Sequence, residues 1–157
     1  MPDYALMFTL EHKRRELLEA CFGLSDNELR VRPTPEEWSI LEVLAHLPAA
    51  DRYYLDQAYL VLADTQHMFA YFDDTEWKQN HPHINDGLVS DCLEDVANAH
   101  EEVLRVLSSL SEEDLLKTAR HPRRGHINVR GLFERYLAHD ENHIQQIRAI
   151  RAAIVRR

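Results

Sequence analysis

The chain has 157 residues, 45% hydrophobic and 29% charged, with a formal net charge of −9. That length allows one compact domain with a real core, residues 1–157, and the composition is ordinary for a soluble globular protein. The acidic balance sets it against nucleic acid, and only four glycines argue against a turn-rich β architecture.

Spacings of three and four between apolar residues predict four long helices. The first runs from about Tyr4 to Phe22, with Leu6, Leu10, Leu17 and Cys21 on one face. The second starts near Ser39, where Ser39 and Glu42 have the spacing of a capping box, and carries Ile40, Leu44, Leu47, Leu55 and Leu62. The third spans about Gly87 to Leu110. The fourth starts near Asn128 and runs to the Arg-rich end, IRAIRAAIVRR, where cations complement a helix C-terminus. After the first and third helices, LSDNEL and LSEEDL each place a Ser N-cap and an acidic turn, a weak internal repeat. No alternating strand pattern of useful length is present. Residues 64–86, DTQHMFAYFDDTEWKQNHPHIND, form a connection too long and too aromatic for a simple up-down-up-down bundle.

Cys21 and Cys92 are far apart and each lies in an apolar pattern, so neither a disulfide framework nor a CxxC site is expected. The N-terminal MPDYALMFTLEHKRR lacks the charged region before an apolar run that marks a secretion signal, and no stretch has the ~18 apolar residues of a membrane span. The expected location is cytoplasmic, with no membrane partner.

LAHDENHIQQI, residues 137–147, holds His139 and His143 four apart on one helical face. They lie in line with Tyr136, Ile147, Ile150 and Ile154. Imidazoles set into an apolar stripe are costly unless their nitrogens are satisfied, and a shared metal ion would satisfy them; hydrogen-bonded core histidines are the plainer alternative. HDENH also approximates the zinc-protease pattern HExxH, with Asp140 in place of Glu. Only fourteen residues follow His143, which leaves little room for a downstream ligand. His46, mid-helix among Val43, Leu47 and Ala50, is the candidate third ligand. Three imidazoles leave a tetrahedral ion one open position, the pattern of a catalytic rather than a structural site.

WSILEVLAHL (residues 38–47) and LAHDENHIQQI, in this order and separation, resemble the two signature segments of the DinB/YfiT-like superfamily, and GLSDNEL and RPTPEEWS fit the same order. The resemblance covers nearly the whole chain. It implies an all-α, four-helix-bundle domain with a divalent metal on His46, His139 and His143. It also implies a metal-dependent enzyme, either a transferase or isomerase using a low-molecular-weight thiol or a hydrolase, acting on a small molecule, and a homodimer. Zinc, nickel, iron and copper all suit three imidazoles. The competing function is a non-catalytic metal- or small-molecule-binding stress-response bundle. Pro48, two residues past His46, removes the bond to the Leu44 carbonyl and is expected to kink the helix beside the ligand.

Tyr53 and Tyr136 follow the same faces as the histidines and are candidates to reach the metal, or else core aromatics. Asp51 and Asp140 are candidates to orient a ligand imidazole, with solvated surface positions as the alternative. His81 and His83 form a weak second cluster in HPH. His12, His67, His100, His121 and His126 read as surface or loop residues. Arg52, Arg130 and Arg135 are scattered, with no evident cationic pocket. Met68, Phe69, Tyr71, Phe72 and Trp77 are expected to cover one end of the bundle and bound a substrate pocket.

Overall fold

The computed structural model describes residues 1–64 and 66–155. Four long helices carry the fold: α1 (Tyr4–Glu19), α3 (Ile40–Ala63), α5 (Val89–Ser109) and α7 (Val129–Val155). Short helices α2 (Asp26–Leu29), α4 (Asp74–Asn80) and α6 (Glu112–Leu116) lie in the connections. The cap residues set several boundaries. Ser25, Ser39 and Ser111 each close a capping box with the residue three positions on, which satisfies backbone donors that a helix start leaves unpaired. α3 continues through Pro48, so the ring does not end the helix.

α1 packs against α5 and α7, and α3 packs against the same two, which places α1 diagonally from α3. Two apolar clusters show the helix directions. One joins Leu6 and Leu10 of α1 with Leu55 and Val61 of α3, Val106 of α5 and Leu132 of α7. The other joins Leu17, Leu44, Val89 and Ile147. The beginnings of α1 and α7 therefore lie at the same end as the finishes of α3 and α5. α3 and α5 are parallel neighbours. A parallel pair needs a connection that travels back along the bundle, and this accounts for the long segment between Asp64 and Leu88.

Between the two apolar clusters lies a buried polar layer: Arg14, His46, Asp51, His100, Asp140 and His143. The expected surface or loop position of His100 is corrected here, and so is the surface alternative for Asp51 and Asp140. All three are buried, on helix faces that are otherwise largely apolar. Arg14, at 2% exposure, draws the carboxylates inward.

Two short strands, β1 (Thr118–His121) and β2 (Gly125–Asn128), pair antiparallel, against the expectation of no strand. Four residues are too few to display alternation, and only Ala119 of the hairpin is buried. Gly125, at φ 73°, supplies the left-handed backbone of the turn. The long connection is pinned to this hairpin, since Phe69 N–H donates to the Arg120 carbonyl (2.9 Å) and Arg120 N–H to that of His67 (3.2 Å). No helix among the described residues is long and apolar enough to cross a membrane. Cys21 and Cys92 are free thiols, each part-buried. Arg151 donates to the carbonyls of Ala20 and Phe22 beyond the end of α1 (3.0 and 2.6 Å); the expected basic terminus at Arg156 and Arg157 lies outside the described residues.

Candidate metal centre

His139 and His143 are one turn apart on α7, and His46 faces them from antiparallel α3. The His46 ring centroid lies 4.5 Å from that of His143 and 5.4 Å from that of His139. The structure therefore brings together the three histidines singled out in the sequence. The linker adds a fourth group. Asp74 opens α4, where Asp73 accepts the Thr75 and Glu76 amides as N-cap (2.8 and 3.1 Å). Asp74 Oδ1 lies 3.0 Å from His46 Nε2 and 3.1 Å from His139 Nε2, and its Oδ2 lies 3.6 Å from His143 Nε2. One ligand atom from each of the four residues falls within 4.8 Å of all the others.

The ring orientations are set from behind. His46 Nδ1 lies 2.6 Å from the Val43 carbonyl, which only accepts, so Nδ1 carries the proton and Nε2 presents a lone pair. His143 Nδ1 donates likewise to Gln146 Oε1 at 2.7 Å, and its Nε2 sits 3.1 Å from that of His139. This is the outer-shell arrangement that fixes a ligating imidazole's tautomer. His46 Nε2 is fully buried and, despite the nearby Asp74 oxygen, makes no hydrogen bond. A buried acceptor without a donor is costly; a cation among these atoms would remove the cost. Burial lowers the His46 pKa. Burial alone would raise the Asp74 carboxyl, but contacts from all three imidazoles hold it far below the usual carboxylate range. The four groups form a nitrogen-rich, anionic donor set of the kind that suits zinc, nickel or iron.

Two indole rings flank His46. Trp38 meets the His46 ring edge-on at 5.2 Å, and Trp77 approaches it at 5.9 Å. Lys78 sits over Trp38 at 5.3 Å, tying α4 to the start of α3. The expected end cover holds for the first part of the connection, where Phe69 packs in the apolar cluster at the finish of α3 and α5, while its Trp77 part runs alongside the histidines instead.

Other candidates land elsewhere. Tyr53 donates to the Ala70 carbonyl (2.6 Å). Tyr136 is held in the polar layer by Arg14 (2.6 Å) and His100 (2.9 Å), and neither hydroxyl bonds to His46, His139 or His143. Tyr54, unremarked in the sequence, reaches them instead, with its ring 6.0 Å from His139. Asp140 accepts from Arg14 Nε at 2.9 Å, and Asp51 accepts from both Nη atoms at 2.8 and 3.1 Å. Asp140 is thus committed to Arg14, which removes the zinc-protease alternative, where that position must serve as general base. His81 and His83 are exposed and separate. Arg52 pairs with Asp56 and Arg130 with Asp3. Asp74 and Arg14 are the functional residues sequence reasoning missed. DDTEW carried a helix-start signal that could have drawn attention to Asp74, and Arg14 carried none.

Over residues 9–147 the sequence matches the DinB superfamily. The chain belongs to this family. It is 25% identical over 161 aligned positions to the uncharacterized protein YuaE of Bacillus subtilis (strain 168), covering 96% of this chain and 99% of YuaE. In fold it is similar to YfiT from Bacillus subtilis, described as a probable metal-dependent hydrolase with an unusual four-helix bundle topology. That match has a TM-score of 0.77 and 18% identity, over 93% of this chain and 83% of YfiT.

Proposed function

We propose that this DinB-family chain is a metal-dependent enzyme of hydrolytic type, holding one divalent cation on His46, His139 and His143 with Asp74 beside them. The observation that carries the reading is the convergence of three Nε2 atoms, two with tautomers fixed from behind, on one carboxylate, with a buried His46 nitrogen left unpaired. The description of YfiT as metal-dependent supports it. A divalent cation there would supply Lewis acidity that yields a nucleophile from water or a thiol near neutral pH. The chain's own residues do the rest. Val43 and Gln146 hold the imidazoles in the binding tautomer, Trp38 and Trp77 exclude water from the His46 side, and the ionised Asp74, a third exposed on its side chain, is placed to accept a hydrogen bond from an incoming nucleophile and orient it.

A second reading has its own observation: Asp74 is close enough to the histidines to complete a four-ligand set, the closed pattern of a structural site. Asp74→Asn separates the two. As an orienting acceptor, Asp74 is dispensable for metal and its loss lowers turnover. As a fourth ligand, its loss weakens metal binding itself.

The first test is elemental analysis of protein purified without a metal-affinity tag. We expect about one ion per chain, lost in His143→Ala. Absence of metal from wild type, even after reconstitution with zinc, nickel or iron, overturns the proposal. Screens of ester and amide hydrolysis and of thiol transfer then follow with the identified metal.

A further inference from the structure

A cavity of about 430 Å³ lies between the hairpin turn, the long connection and α7, within the size range of small-molecule sites. One wall is aromatic: Tyr53, Tyr54, Phe69 and Phe72. Tyr54 connects it to His139 by ring contact, and Phe72 stands two residues before Asp74 in the chain. The other wall is cationic. The turn of the hairpin supplies Arg123 and Arg124, and α7 supplies Arg135, one turn before His139 on the same face.

In an acidic chain, with 27 Asp and Glu against 18 Lys and Arg, basic side chains readily find carboxylates. Arg52, Arg105, Arg130 and Arg148 each have one. Among the described residues, Arg123, Arg124 and Arg135 form no ion pair with a carboxylate, and no acidic side chain lines the cavity. Burial and the same three guanidiniums lower the pKa of His121, which also lines it. Three unneutralised arginines around one aromatic-walled cavity constitute a recognition surface for an anion, since guanidinium forks suit carboxylates and other oxyanions and also stack on aromatic faces.

We infer that this cavity binds a planar aromatic anion, with its rings against Tyr53, Tyr54 and Phe72 and its oxyanion on Arg123, Arg124 and Arg135. As the substrate pocket of the histidine centre it rests on the metal reading above; as an anion site it stands alone.

The test is calorimetric titration with 2-naphthoate and 2-naphthalenesulfonate, with neutral 2-naphthamide as the isosteric control, on metal-loaded and on chelator-treated protein. The two anions should bind saturably and about ten-fold or more tighter than the amide. Arg135→Gln, and separately the pair Arg123→Gln and Arg124→Gln, should erase that preference while leaving amide binding and metal content unchanged. No saturable binding of either anion, equal binding of the amide, or indifference to both variants overturns the inference. Anion binding by a protein that holds no metal would sink the catalytic reading and leave this one standing. Metal binding without anion binding would do the reverse.

Discussion

Arg14 places its guanidinium against both carboxylate oxygens of Asp51, both of Asp140, and the Tyr136 hydroxyl. Burying a charge costs several kcal/mol, and the cost is offset only when its hydrogen bonds are complete. Removing the cation strands two buried carboxylates. Arg14→Met should therefore destabilise the fold by about 3–5 kcal/mol, measured by urea unfolding, and Arg14→Lys should rescue it only in part because an ammonium cannot reproduce the planar fork. His100, in the same layer, has its pKa lowered to about 4 by burial and by Arg14. Its unfolded value is ~6.5, so between these values the unfolded chain holds the proton and the folded one does not. The stabilising contribution is complete above about pH 6.5 and is lost as pH falls toward about 4, a swing of roughly 3 kcal/mol. Wild type should lose correspondingly more stability than His100→Gln when unfolding is followed across that window.

At the scale of the element, α3 shows what was legible in the sequence and what was not. Its start is local chemistry: Ser39 accepts from the Glu42 amide and Glu42 reaches back to the Ser39 amide, both at 3.0 Å. A motif of four residues carries that information. Ser39→Ala should cost about 1 kcal/mol from the cap, and more because Ser39 also donates to Asn85 Oδ1 at 2.6 Å; thermal melts of the variant check this. His46, His139 and His143 were legible for a related reason, since helical periodicity puts them on inward faces and the two signature segments that hold them imply a shared ligand set. Asp74 was not, because its place depends on how a long connection crosses the bundle, which no local pattern encodes. Nor was the buried state of Asp51 and Asp140, whose partner Arg14 lies on a helix far away in sequence. The hairpin escaped because its register rests on backbone pairing, with a single buried side chain to mark it.

For the whole molecule, the candidate centre joins three segments: α3, α4 and α7. An ion held there binds the folded state alone, so stability should rise with free ion as RT ln(1 + [L]/Kd), about 2.7 kcal/mol at one hundred times Kd. Chelator should lower the melting temperature of wild type and leave His143→Ala unmoved. Hydrogen exchange should show the loss first at α4, a helix with no buried residue of its own that is held down by Asp74, Trp77 and Lys78. A chelator-insensitive melt in wild type would mean that the centre holds no ion.

Tyr54 lines the arginine-lined cavity and also meets His139 of the histidine group, ring to ring at 6.0 Å. Without an ion, the group is net negative through Asp74, a repulsive neighbour for an incoming anion; with one, its net charge changes sign. Ion and anion are then thermodynamically coupled, and reciprocity requires each to tighten the other by the same factor. The acidic side chain on the linker thus turns occupancy of one site into a gain in affinity at the next, without being a requirement for it.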